Sequence, residues 1–252
     1  MSPALHRAAY AALGLTDWSY DAVECDEADL ATFLDELGSE WAGLSLTKPL
    51  KRLILSHADT VSELARDVGA ANTVVFSRRG RHVENTDVGG MVDVLGPADV
   101  SHPVILGAGG TAAAALAALR DIGAAGATVV VRDPARAAEL MAAAERLAVP
   151  VRLARWPEVP PTATVVISTV PSATAAALPE NLWRPGTTVF DVLYHPWPTP
   201  LASAASAAGA RVVSGFDLLL HQAGHQVHLM TGAPAPLPAM RHVLLKADYT
   251  GL

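Results

Sequence analysis

The run Val104-Ile105-Leu106-Gly107-Ala108-Gly109-Gly110-Thr111-Ala112 constrains the fold more than any other part of the chain. An apolar stretch enters a glycine turn of the form G-x-G-x-x-A, and a long Ala-rich stretch follows it. A strand, a tight turn and a helix in that order open a dinucleotide-binding βαβ unit. Gly107 permits the turn, Gly109 removes the side chain where a pyrophosphate must approach, and Ala112 lets the helix pack close to the sheet. Ala108, Gly110 and Thr111 complete a loop whose helix N-terminus faces the anion. Outside such a setting the same glycines are only a structural turn.

The pattern around this turn repeats. After strand 104–106 and helix 111–122 come strand 128–131, helix 134–147, strands 165–168 and 188–193, helix 201–208 and strand 211–214, the rhythm of a parallel sheet with crossover helices. Helical patterns over 218–230 and 238–248 end the chain, separated by a breaker run at 232–236. Ahead of Gly89 and Gly90 the texture is more irregular. A helix from Ser2 toward Gly14, a strand over 20–25, a helix over 29–38, a strand over 41–46 and a strand over 72–76 that turns at Arg78-Arg79-Gly80 are expected there. In Thr47-Lys48-Pro49 the proline suits a first helical turn and the hydroxyl before it can help to cap that helix. The class is α/β, with a domain change near Gly89.

At 252 residues the chain can bury one large or two modest cores. Its aromatic content of 5% and its abundance of Ala, Gly and Val suit helices packed closely on a buried sheet. A net charge of −7 without a basic run argues against nucleic acid or an anionic membrane surface as partner. Cys25 is the only cysteine, so no intrachain disulfide forms, and the first residues lack the pattern of a signal peptide. No apolar run is long enough to span a bilayer, and a cytoplasmic protein is expected. His221, His225 and His228 sit at helical spacing, but no carboxylate or cysteine pattern accompanies them and no metal site is expected. Neither a G-x-S-x-G elbow nor a Walker loop is present.

At the end of the second strand of the repeat stand Arg132, Asp133 and Arg136. Folds of this kind choose there between a free ribose and a 2′-phosphate. The arginines suit the phosphate and Asp133 suits the ribose diol, while all three also suit a solvated helix start.

The remaining motifs carry a resemblance along nearly the whole chain. Ser2-Pro3-Ala4-Leu5-His6 is similar to the later part of S-x-S-P-x-x-H, and Ser45-Leu46-Thr47-Lys48-Pro49-Leu50-Lys51 to S-V-T-x-P-x-K. Gly69-Ala70-Ala71-Asn72-Thr73 is similar to G-A-V-N-T, and Asn85-Thr86-Asp87, with Gly90 beyond it, to N-T-D-x-x-G. Ser168-Thr169-Val170-Pro171 resembles the N-x-T-P-x-G region, Asp191 through Leu201 the pattern D-x-x-Y-x-P-x-x-T-P-L, and Gly215 through Gln222 the closing G-x-x-M-L-x-x-Q. In this order and spacing they resemble the shikimate dehydrogenase family, which includes shikimate and quinate dehydrogenases.

That resemblance implies an N-terminal α/β substrate-binding domain over 1–88 plus 224–252, to which the C-terminal helix returns, and a Rossmann-type domain over 89–223. It implies NADPH-dependent, reversible reduction of 3-dehydroshikimate to shikimate, with Lys51 and Asp87 as the catalytic pair. A lysine in a T-x-P-x-K string is otherwise more often a solvated helix residue. Lys51 as an ammonium can both steady a developing alkoxide and give up its proton. Substrate ligands carried over are Ser2, Thr47, Lys51, Asn72, Asp87, Tyr194 and Gln222. Taken singly, each polar one has a structural use: Ser2 as a helix N-cap, Asn72 in a turn, Tyr194 in a half-buried core, Gln222 on a helix surface. Thr169, Val170, Pro171, Val192 and Gly215 join the cofactor set. Monomer and homodimer are equally compatible with the sequence.

The chain also departs from the family pattern. The family runs a strand into the first serine of S-x-S, and here Met1 falls about a dozen residues later, by analogy of fold. Arg7, Ser168 and Leu218 stand where the family often has Asn, Asn and Met. These departures keep two alternatives open: an NAD-preferring quinate or shikimate dehydrogenase, for which Asp133 speaks, and a catalytically weakened dinucleotide- or metabolite-binding homologue.

Overall fold

A computed structural model describes residues 1–250, with Glu180 and 246–250 described at the level of secondary structure only. The chain divides into two compact units, residues 1–90 with 219–252, and residues 91–218.

The first unit opens with α1 (Ser2–Ala12) and α2 (Leu30–Glu36), followed by β1 (Gly43–Ser45), α3 (Leu50–Leu53), β2 (Thr60–Val61) and α4 (Glu63–Val68). The hairpin β3 (Thr73–Ser77) and β4 (Gly80–Glu84) leads into α5 (Thr86–Leu95), within which the first unit ends. Its sheet has the order β1-β3-β4-β2, antiparallel except for β2 against β4. Val74 and Val83 face each other across the hairpin, fully buried with Leu30, Leu34 and Ile54 from the covering helices. Gly69 holds a left-handed φ of 76° that ends α4, a conformation other residues adopt only with strain.

The second unit contains β5 (Pro103–Leu106), α6 (Gly110–Asp121), β6 (Ala127–Val131), α7 (Ala138–Arg146), β7 (Val151–Arg155), β8 (Val165–Ser168), α8 (Ser172–Ala175), β9 (Thr188–Asp191), α9 (Pro200–Ala207) and β10 (Arg211–Ser214). All six strands run parallel in the order β10-β9-β8-β5-β6-β7. Parallel strands need both faces covered, and β5, β8 and β9 are accordingly buried along their whole length. Every residue of α6 from Ala112 to Leu119 is buried, which small side chains make possible by letting the helix lie close to its neighbours.

The chain returns to the first unit within α10 (Gly215–Thr231) and ends in α11 (Leu237–Thr250), which packs on α1. Both division points thus fall inside helices, at Gly90 and at Leu218.

Several local expectations require correction. Residues 18–26 form no strand and join no ladder; Tyr20, Val23 and Cys25 line a cavity of about 920 Å³ together with Gly43, Leu44 and Ser45 of the edge strand β1. Ser2 is the first residue of α1 and Met1 its N-cap, so the serine hydroxyl does not cap. Thr47 does not cap with its hydroxyl either; Pro49 is the N-cap of α3, and the Thr47 main-chain oxygen accepts from Leu50 N at 2.9 Å. Strand β7 is an addition to the sequence-derived elements: Val-Arg-Leu-Ala-Arg lies at the sheet edge, where Arg152 and Arg155 are exposed, and so breaks the apolar pattern of the inner strands. No helix among the described residues is long and apolar enough to cross a membrane.

His6 on α1 is fully buried, stacked on Tyr20 at 4.1 Å, with Nδ1 donating to the Ser2 carbonyl at 2.9 Å and Nε2 meeting no partner. Burial pushes its pKa from 6.5 down to about 4, against the smaller opposing pull of the Ser2 carbonyl. The unfolded chain therefore takes up a proton below pH 6.5 that the fold refuses until about pH 4, and protonation favours unfolding through that window. Melting temperature should fall as pH is lowered from 6.5 toward 4, with a loss on the order of 3 kcal/mol at the limit. His6→Phe, which keeps the stacked ring but does not titrate, should flatten this limb; thermal scans showing the same slope in both proteins would exclude His6 as its source.

Candidate active site

Lys51 lies in the short helix α3, and its main-chain oxygen accepts from Ala71 N at 2.7 Å, tying that helix to the entry of β3. Asp87 is in the first turn of α5, where the helix dipole favours a carboxylate. The Lys51 Nζ donates to Asp87 Oδ2 at 2.7 Å, with side chains 24% and 12% exposed. Asn72 Nδ2 donates to the other carboxylate oxygen, Oδ1, at 2.9 Å. Asp87 is thereby held on both oxygens, which a nearly buried charge requires.

The Asn72 amide is itself oriented. Its Oδ1 accepts from Thr86 N at 2.8 Å, from Thr73 Oγ1 at 2.9 Å and from Thr86 Oγ1 at 3.1 Å, so only Nδ2 can face Asp87. Gln222 of α10 joins at its rim, its Oε1 at 3.4 Å from Asn72 Nδ2 and its Nε2 donating to Leu219 O. Four of the sequence-derived residues, Lys51, Asp87, Asn72 and Gln222, are thus in one hydrogen-bonded group. Thr47 is exposed on the loop before α3 and Ser2 is part-buried in α1; neither side chain has a hydrogen bond to that group. Tyr194 belongs to the second unit, is 38% exposed and leans on Phe216 at 5.5 Å.

In the second unit the chain builds β5, β6 and β7 outward in one direction and β8, β9 and β10 in the other, so the reversal falls between β5 and β8. Crevices for ligands open at the carboxyl ends of strands at such a reversal. Gly107 stands at that end of β5 with φ 100°, and a Cβ on it would come within 2.7 Å of Thr169 Oγ1 and 3.0 Å of Val170 Cγ1. Thr169, at the end of β8, donates its hydroxyl to Leu106 O at 2.7 Å and so joins the two strand ends. Pro171 is the N-cap of α8. Gly109 is the N-cap of α6, and a Cβ at Gly109 or Gly110 would meet nothing within 4 Å. Ala108 and Thr111 flank them, and Ala112 is fully buried. An N-terminus with open space before it and no capping side chain fits a pyrophosphate.

The next strand end carries Arg132, Asp133 and Arg136, all exposed. Asp133 Oδ1 accepts from Ala135 N at 3.0 Å and caps the 3₁₀ turn Pro134–Ala137, which gives this carboxylate a structural task. At the end of β9, Val192 and Gly215 touch: a Cβ on Gly215 would fall 2.2 Å from the Val192 carbonyl oxygen. The loop that starts there is held by Asp191, fully buried, which accepts from Thr199 Oγ1 at 2.6 Å and from Leu193 N at 3.2 Å. Burial raises the Asp191 pKa, opposed by those two bonds. Among the described residues no group of three or more His, Cys, Asp or Glu could hold a metal ion.

Sequence reasoning passed over Asp191, Thr199, Thr73, Thr86 and Gln226. The threonines stood inside quoted motifs without a role. Gln226 was detectable as the residue one helical turn beyond Gln222.

The sequence model of the shikimate dehydrogenase substrate binding domain matches residues 1–74. The shikimate dehydrogenase (NADP(+)) of Moorella thermoacetica is 34% identical over 263 residues, covering 98% of this chain and 89% of the relative. The crystal structure of Mycobacterium tuberculosis shikimate dehydrogenase superposes with a TM-score of 0.90 at 41% identity, over 98% of this chain and 94% of that one. Quinate dehydrogenase from Corynebacterium glutamicum in complex with NAD gives a TM-score of 0.85 at 30% identity, over 97% and 94%. Together with the glycine turn, these relatives support a nicotinamide dinucleotide as cofactor. On identity across nearly its full length, the chain belongs to the shikimate dehydrogenase family.

Proposed function

We propose that the protein catalyses the reversible, NADPH-dependent reduction of 3-dehydroshikimate to shikimate. The observation that carries this reading is the Lys51–Asp87–Asn72 group: a cation and an amide locked on a single carboxylate. The dinucleotide supplies the hydride. Lys51 gives its proton to the oxygen of the reduced carbon and steadies the negative charge that develops there. Asp87 aims Lys51 and, with Asn72 and Gln222, takes hydrogen bonds from or gives them to the ring hydroxyls; Thr47 and Ser2 supply further neutral partners, Ser2 toward the carboxylate. In the oxidative direction the same lysine accepts the hydroxyl proton. The intact pair and its buried support favour an active enzyme over a weakened binding homologue.

For the cofactor, Gly107 to Ala112, Thr169, Val170, Pro171, Val192 and Gly215 hold the dinucleotide and nicotinamide, while Arg132 and Arg136 take the 2′-phosphate of NADP. Asp133, committed to its cap, orders the turn that presents them. The names of the relatives and the two cations support NADP. An NAD-preferring quinate enzyme is the second reading, motivated by Asp133 and by the likeness to the quinate dehydrogenase.

Lys51→Ala should lower kcat for 3-dehydroshikimate reduction by about 10²- to 10⁴-fold while leaving the affinity for NADPH and the circular dichroism spectrum as in the wild type. Turnover unchanged in this variant would remove Lys51 from the mechanism. Replacing Arg132 and Arg136 by Ala should raise the KM for NADP by about tenfold or more and leave that for NAD nearly unchanged. Wild-type turnover compared across NADP and NAD, and across shikimate and quinate, decides between the two readings: faster reaction with NAD and quinate would favour the second.

A further inference from the structure

Helix α10 carries two glutamines on one face, Gln222 and, one turn on, Gln226. Gln222 reaches the Asn72 side chain. Gln226 is 1% exposed and works behind it: its Nε2 donates to the Asn72 main-chain oxygen at 3.3 Å and to Thr73 Oγ1 at 3.1 Å, and its Oε1 accepts from Ser45 Oγ at 2.8 Å. Both amide protons are spent, so the residue has nothing left to offer a substrate.

Its bonds nevertheless lead to the reacting group. A hydroxyl has one proton, and because Thr73 Oγ1 accepts from Gln226, that proton is available for Asn72 Oδ1 at 2.9 Å. Asn72 then turns Nδ2 toward Asp87, and Asp87 keeps its other oxygen for Lys51. At the main chain, Asn72 O also accepts from Leu46 N at 2.7 Å, and Gln226 takes the second lone pair. Only a side chain that donates at one end and accepts at the other meets Asn72, Thr73 and Ser45 together.

We infer that Gln226 is a positioning residue for substrate binding and proton transfer, acting through Thr73 and Asn72 on the Asp87–Lys51 pair. The inference rests on the reading of that pair as the reacting centre.

Gln226→Glu tests it, because the shape and the Ser45 contact are kept while the ionised carboxylate cannot donate. Buried beside a carbonyl oxygen, this carboxyl should hold its proton to a higher pH than usual, and in that protonated form it can donate again. The KM for shikimate should therefore rise about tenfold near pH 9 and recover in part as the pH is lowered to about 6, since the single carboxyl proton restores one of the two donated bonds, with the KM for the dinucleotide unchanged throughout. Gln226→Met should show the rise at every pH. Thr73→Val, nearly isosteric, breaks the same chain one link further on and should reproduce the effect, whereas Thr73→Ser should restore wild-type behaviour. A wild-type substrate KM and pH profile in Gln226→Glu and Thr73→Val would overturn the inference. So would a pH-independent loss that raises both KM values together with a lowered melting temperature, the mark of a purely structural residue. If Lys51→Ala is slowed as expected while these variants behave as wild type, the inference alone fails; if Lys51→Ala turns over at the wild-type rate, the reading of the centre fails.

Discussion

A carboxylate with little access to water must have each of its oxygens met by a donor, and Asp87 meets this demand with Lys51 on one side and Asn72 on the other. The requirement reaches well beyond the three residues. It needs α3 tied to the start of β3, which the Ala71-to-Lys51 backbone bond provides, and it needs Asn72 fixed, which the Glu84 carbonyl and the Thr86 amide provide. Asn85 adds a brace by accepting from Asp87 N and donating to Ala70 O. The first unit's short strands and irregular connections serve this need: they bring the ends of β3, β4, α3 and α5 to one point rather than extend a large sheet.

The second unit solves a different problem, the close approach of backbones at the carboxyl ends of parallel strands. Gly107 against Thr169 and Gly215 against the Val192 carbonyl are contacts that a single added carbon would break. Thr169 and Thr199 then do with hydroxyls what glycine cannot, each bonding to a group across a strand end. Small residues set the spacing and hydroxyls lock it, at the ends of strands that are buried along their whole length.

Much of this was legible in the amino-acid sequence because it depends on local patterns. The glycine turn, with its apolar strand and Ala-rich helix, identifies β5 and α6, and the order of the short motifs brings Lys51, Asn72, Asp87 and Gln222 into one set before their proximity is known. What could not be read was set by partners distant in sequence. Residues 20–25 have the composition of a strand, but a strand is defined by pairing, and these residues pair with no other strand. Strand β7 carries two exposed arginines, as an edge can, and so looks unlike its neighbours. Ser2 and Thr47 have the chemistry of helix caps without the geometry. The role of Gln226 depends on Ser45 and Thr73, which lie far from it along the chain.

Helix α10 shows what such long-range contacts cost in tolerance. Gln222 and Gln226 face β3, and Gly224, two residues from each and so about 200° around the helix, closes on the other side, where a Cβ would come within 2.8 Å of Leu237. Both sides of the rod are in contact, one by hydrogen bonds and one by the absence of a side chain. A one-residue insertion between Gln222 and Gln226 would rotate the remainder of the helix by about 100°, taking one amide off its acceptors with no freedom to turn back. Along this stretch, indels are barred even where substitutions could be borne.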